Sequence, residues 1–121
     1  MASILIVDDS PSIRQAIQIS LADTGHAVME AVHGVDGLNK AKGQRFDLIV
    51  TDLNMPEMNG LGMIKAVRQL PNYAGVPILF LSTESAPEVK QQAREAGATG
   101  WITKPFSPEQ LVQVVTKVLA R

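Results

Sequence analysis

No cysteine occurs among the 121 residues, so disulfide frameworks and thiolate metal sites are both excluded. Aromatic residues are scarce, 4% of the chain with a single tryptophan, which makes Trp101 the only indole reporter. Charge of one sign is nowhere concentrated: 11 basic and 12 acidic residues are interspersed and sum to −1. This is neither the basic footprint of a nucleic-acid binder nor the polybasic tail of a membrane-surface protein. No apolar stretch approaches the roughly 20 residues of a membrane-spanning helix. The opening MASILIVDD lacks the basic flank and long apolar core of a signal peptide. A soluble, cytoplasmic, monomeric protein is expected, without nucleic-acid or membrane partners.

Apolar residues nevertheless make up 45% of the chain, enough for a sizeable core, and the length reads as one domain over residues 1–121. Strand and helix signals alternate from end to end. Residues 4–7, Ile-Leu-Ile-Val, form a continuous apolar run, the mark of a strand buried on both faces. Ser10-Pro11 gives an N-cap with proline at the first helical position; Ile13, Ala16, Ile17 and Leu21 keep helical spacing to a stop at Gly25. Residues 26–31 alternate weakly, like an edge strand. A short helix through Val35, Leu38 and Lys42 ends at Gly43. Further strands are expected at 46–51, 76–81 and 100–103, with helices at 61–70, from a capping box at Ser85 to Gly97, and from Ser107 onward. The last helix has an inner stripe of Leu111, Val114, Val115 and Val118. Five βα units of this kind argue an α/β fold with a parallel sheet. The most apolar strands, the first, third and fourth, belong in its middle. The order 2-1-3-4-5 satisfies this and is matched to a known topology, the flavodoxin-like doubly wound (βα)5 sandwich.

Right-handed crossovers then place the loops after strands 1, 3, 4 and 5 along one rim, where such sheets bind ligands. That rim carries Asp8 and Asp9, then Asp52, then Ser82 with Thr83 and Glu84, then Lys104-Pro105. Singly, each has a bland reading, since Asp and Ser favour caps and turns for local reasons. Together they are harder to dismiss. Three crowded carboxylates repel one another and raise each other's pKa, which calls for a cation among them. A hard divalent ion with oxygen ligands answers that need, and Mg²⁺ leaves coordination positions for waters and a phosphoryl oxygen. One carboxylate is then free to act as a nucleophile and form an aspartyl-phosphate.

VDDSPSIR, DLNMPEMNG, LSTES and TKPF, in this order and spacing, resemble the receiver domain of bacterial two-component response regulators, and the resemblance runs from Ile4 to the last helix. It implies a phosphorylation-dependent signalling switch, not a turnover enzyme. Asp52 is then the phosphoacceptor. Asp9, Asp52 and the main-chain carbonyl of Asn54 are then Mg²⁺ ligands, with Asp8 supporting the ion through water. Ser82 corresponds to the switch hydroxyl, Lys104 to the lysine that contacts the phosphoryl group, and Lys104-Pro105 to a cis peptide. Asn54 and Glu84 correspond to the pair that sets self-dephosphorylation. Trp101 stands where the family carries a switch aromatic, often tyrosine, and Thr83 is bulkier than the usual residue. Implied partners are a sensor histidine kinase, a downstream target such as a flagellar motor switch, and a phosphatase. Chemotaxis is the expected setting; a non-chemotactic two-component pathway, or excision from a longer regulator, is the alternative, with the Met1 start and the linker-free last helix favouring a complete protein.

Two rival classes share the topology. A haloacid-dehalogenase-like phosphohydrolase places a second aspartate two residues after its nucleophile, where this chain has Asn54. A flavin module needs a phosphate cradle after the first strand, where Asp8 and Asp9 would repel one. On the output side, the fourth helix is expected to be thinly anchored through Val89, Ala93 and Ala96. The fifth carries Val112 and Leu119 beyond its core stripe, which reads either as an exposed apolar strip or as a wider core face.

Overall fold

A computed structural model describes residues 2–53, 59–83 and 87–120. Five strands, β1 (Ser3–Val7), β2 (Ala27–Ala31), β3 (Leu48–Asp52), β4 (Ile78–Ser82) and β5 (Gly100–Thr103), pair in parallel in the order β2-β1-β3-β4-β5. The helices are α1 (Pro11–Leu21), α2 (Gly34–Gly43), α3 (Gly60–Arg68), α4 (Pro87–Ala96) and α5 (Pro108–Leu119). The flavodoxin-like order expected from the apolar runs is the observed one. Every residue of β3 and β4 is buried, while β2 and β5 alternate and lie at the edges.

The two faces of the sheet read directly from the pleat. Leu5 and Val7 of β1 join Ile49, Met63, Ile64 and Val67 beneath α2 and α3. Ile4 and Ile6 join Val50, Ile17, Leu111 and Val115 beneath α1 and α5. A smaller cluster of Leu53, Phe80 and Ala93, with Val89 against it, seats α4; its small side chains give the thin anchorage expected. The caps are chemical as well as positional. Ser10, Asn59 and Ser107 each accept a backbone N–H of the first turn of their helix, and Ser107 and Gln110 form a reciprocal capping box. The box expected at Ser85 lies outside the described residues.

The differences from the sequence reading are local and have causes. β4 begins at Ile78, one residue after Pro77, which has no N–H to give the ladder; its carbonyl instead accepts Ile49 N at 3.1 Å. Phe46 precedes β3, its N–H bonded to the Tyr73 hydroxyl. Asp52 is itself the last strand residue, paired with Leu81. α1 stops at Leu21 and a 3-10 turn, Ala22–Thr24, leads to Gly25 at φ 83°. α3 ends at Arg68, two residues before the expected Leu70. Val112 and Leu119 are not a free strip: both are half-buried and packed on the α1–α5 core. The apolar face of α5 is wider than a minimal stripe because α1 and the sheet both cover it.

Arg68 ties the far ends of α3 and α4 together. Its guanidinium donates to the carbonyls of Tyr73, Val76 and Gly97 at 2.6–3.0 Å. Gly97 has φ 116°, and a Cβ there would lie 2.8 Å from Arg68 Cγ, so both backbone and neighbour require glycine.

Candidate functional site

Parallel register assembles the site. Val7 pairs with Thr51, so the residues that follow, Asp8 and Asp52, meet at the rim. Asp52 pairs with Leu81 and Ser82 with Thr103, which sets Ser82 and Lys104 beyond them. Lys104 N donates to the Ser82 carbonyl at 2.9 Å, and the Lys104-Pro105 peptide is cis.

Carboxylate oxygens of Asp8, Asp9 and Asp52 lie within 4.8 Å of one another. Asp8 and Asp52 are buried and Asp9 is exposed, so the cluster opens to solvent on one side only. Lys104 Nζ bridges the buried pair, 3.2 Å from Asp8 Oδ2 and 3.3 Å from Asp52 Oδ1. Burial, and then the neighbouring Asp8 carboxylate, push the Asp52 carboxyl above its ordinary value; Lys104 and the Leu53 N–H, which donates at 2.9 Å, offset this only in part. The site therefore holds more negative charge than its lysine balances. Its donors are all hard oxygens, with no histidine or thiol among them. That donor set fits Mg²⁺ or a similar divalent cation. Asp8, Asp9 and Asp52 would supply the protein oxygens.

Of the residues read from the sequence, Asp8, Asp9, Asp52 and Lys104 come together. Ser82 is buried at the end of β4 beside them, and Thr83 is exposed at the rim. Trp101 stands apart on β5, 37% exposed, its ring 6.3 Å from Phe80 and beneath the Lys90 ammonium at 4.2 Å. Asn54 and Glu84 lie outside the described residues.

Sequence reasoning missed three supports. Gly60 opens α3 so close to the end of β3 that a Cβ would overlap the Asp52 carbonyl oxygen and lie 2.7 Å from Leu53 Cα; its N–H donates to the Leu53 carbonyl at 2.9 Å. The glycine was visible in DLNMPEMNG, but its reason was not. Lys90 over Trp101 and Arg14 on the Asp8 carbonyl are made by long side chains reaching back to neighbouring segments, and no spacing rule reveals them.

The family model described as the response regulator receiver domain matches residues 4–116. The chain belongs to this family. Among relatives of this receiver, the chemotaxis protein CheY homolog of Campylobacter jejuni is 39% identical over 96% of this chain and 91% of its own. Chemotaxis protein CheY1 of Helicobacter pylori is 37% identical over 96% and 95%. The solved structure of the chemotaxis response regulator CheY4 of Vibrio cholerae superposes with a TM-score of 0.94, 48% identity and 98% coverage of both chains. Receivers of this type are two-component signalling proteins and not classical enzymes. They bind Mg²⁺ at an acidic pocket, take phosphate from histidine kinases and act on downstream targets. Among the described residues, no helix is long and apolar enough to cross a membrane.

Proposed function

We propose that this receiver, acting as one unit over residues 1–121, is a phosphorylation-dependent switch whose acceptor is Asp52. The observation that carries the reading is the buried pair Asp8 and Asp52 bridged by Lys104, with Asp9 within carboxylate reach. An Asp52 oxygen attacks the phosphorus of a kinase phosphohistidine. The P–N bond breaks, its electron pair stays on the imidazole nitrogen, and that nitrogen ends protonated or neutral according to pH. Burial strips water from the Asp52 carboxylate and leaves it a better nucleophile. Lys104, already 3.3 Å from Asp52 Oδ1, balances the arriving phosphoryl oxygens. Asp9 and Asp52, with the Asn54 carbonyl as a third ligand implied by the sequence motif and Asp8 in support, would hold Mg²⁺. When bound, the ion neutralises charge on the transferring group.

Ser82 then bonds the phosphoryl oxygens, and Trp101 moves from its exposed position toward the space behind Ser82. The face formed by α4, β5 and α5 is the output surface. Support comes from the thin seat of α4 on Ala93 and Ala96 and from the exposed indole beside it. Asn54 and Glu84, both polar, hold the water that ends the signal. The named relatives are chemotaxis proteins, which supports a chemotactic role; the reading includes a sensor histidine kinase upstream, a target such as the flagellar motor switch downstream, and a phosphatase as a further partner, in the cytoplasm and as a monomer. Acetyl phosphate with Mg²⁺ should add one base-labile phosphoryl group, read as a mass increase. Asp52→Asn should abolish it; labelling that persists at another residue refutes the assignment.

A further inference from the structure

Asp8 is held at every polar atom. Its N–H donates to the Ala31 carbonyl at 3.2 Å. Its Oδ1 accepts Ser10 N at 2.9 Å and its Oδ2 faces Lys104 at 3.2 Å. The fourth atom, the main-chain carbonyl, accepts Arg14 Nη1 at 2.6 Å. Arg14 is itself fixed: its Nε lies 2.9 Å from Glu30 Oε1, and only 14% of its side chain is exposed. Glu30 is fixed in turn, its Oε2 accepting Gln18 Nε2 at 3.0 Å and its carbonyl accepting Lys40 Nζ at 2.6 Å. A continuous chain of bonds thus runs from the edge strand β2, through one guanidinium, to the turn that carries Asp8 and Asp9.

We propose that Arg14, anchored by Glu30, is a positioning residue for the divalent-cation site. The proposal rests on reading the three carboxylates as that site. Asp9 is exposed and is offered no other brace by its surroundings among the described contacts. Its carboxylate reaches the cluster because the residue before it cannot rotate. Charge alone does not explain Arg14. A guanidinium near a cation site repels the cation, so losing only the charge should tighten binding, whereas losing the brace should loosen it. The planar fork is the feature that counts, since Nε and Nη1 serve two partners at once in fixed geometry. A lysine keeps the charge and cannot hold both.

The test is calorimetric titration of Mg²⁺ and of Ca²⁺ into the parent, Arg14→Lys, Glu30→Gln and the double variant. Arg14→Lys should weaken Mg²⁺ by on the order of tenfold, the size seen when outer-shell partners are removed. Ca²⁺ should weaken less, because it tolerates irregular geometry and Mg²⁺ does not. A merely structural role would lower the urea midpoint and leave this ion preference alone. Glu30→Gln should shift Mg²⁺ in the same direction by less. The double variant should bind no more weakly than Arg14→Lys, since both changes cut one chain of bonds. Arg14→Lys binding Mg²⁺ within about twofold of the parent, or both ions weakening equally, overturns the brace. A parent that binds neither ion overturns the cation-site reading itself. Glu30→Gln carries the same test if Arg14→Lys does not fold.

Discussion

Neutralising Asp52 should make the metal-free protein more stable. Asp52 is 6% exposed and shares its pocket with the Asp8 carboxylate, whose oxygens come within 4.8 Å. At an effective dielectric constant near 20, that repulsion is about 3.5 kcal/mol. Lys104 at 3.3 Å returns about 5 kcal/mol on the same scale. The attraction is larger, yet taking a carboxylate out of water costs several kcal/mol more, and the Asp52 carboxyl ends above its ordinary value, burial first. Asp52→Asn removes the buried charge and keeps the shape, and its side-chain oxygen still accepts the Leu53 N–H. A net gain of about 1–2 kcal/mol is expected, or roughly 3–8 °C in melting temperature for a chain of this size. The pH dependence follows from the sign of the shift. Below the ordinary carboxylate value Asp52 is protonated folded and unfolded, so its ionisation costs nothing. As pH rises through that value toward the raised folded one, the parent loses stability that the Asn variant keeps. Melting curves in EDTA at pH 8 and pH 4 measure this. The gap should be larger at pH 8 than at pH 4, and saturating Mg²⁺ should close it by stabilising the parent. An Asn variant no more stable than the parent at pH 8, or an equal gap at both pH values, refutes the reasoning.

Lys104→Ala should still bind Mg²⁺ but accept phosphate from acetyl phosphate roughly a hundredfold more slowly, the usual cost of one missing charge-stabilising donor; an unchanged labelling rate removes Lys104 from the chemistry. Gly60→Ala forces a Cβ onto the Asp52 carbonyl and should cost about 2–3 kcal/mol by overpacking, read as a lower urea midpoint with unchanged m-value. A beryllofluoride mimic should change Trp101 emission, and the change should shrink in Ser82→Ala; identical responses in both proteins break the proposed link between Ser82 and the indole. The phosphorylated state should last seconds to minutes, timed by loss of the mass adduct, and a half-life of many hours shows that Asn54 and Glu84 do not hold a water here.

Much of the fold was legible because its signals are short-range. Apolar runs such as Ile4 to Val7 and caps such as Ser10-Pro11 act over a few residues, and the alternation of units leaves few topologies. The carboxylates and Lys104 were legible for a related reason: a parallel sheet sends every strand's carboxyl end to one rim, so residues just past those ends must meet. What escaped was the work of long side chains. Arg68 and Tyr73 bond main-chain groups of distant segments, Arg14 ties the Asp8 carbonyl to Glu30 on β2, and neither partner advertises the contact in sequence. Tyr73 takes the Phe46 N–H and reaches the carbonyls of Ala41 and Gln44. Whether Val112 and Leu119 form an exposed strip or a wider core face stayed open, because the coverage contributed by α1 cannot be read from α5 alone.

The Lys104–Asp8 bond joins residues 96 positions apart. Every closure between them, from the β1–β3 pairing to the β4–β5 pairing, must be complete before the ammonium meets the carboxylates. The loop entropy of that span is recovered only in the last stages of ordering. A chain that has lost β5, or has not finished folding, therefore presents its carboxylates without the ammonium that bridges Asp8 and Asp52. On the proposed mechanism it would accept phosphate far more slowly than the native fold. On that mechanism the topology ties competence to be addressed to native structure, so damaged or half-made copies would answer the circuit weakly.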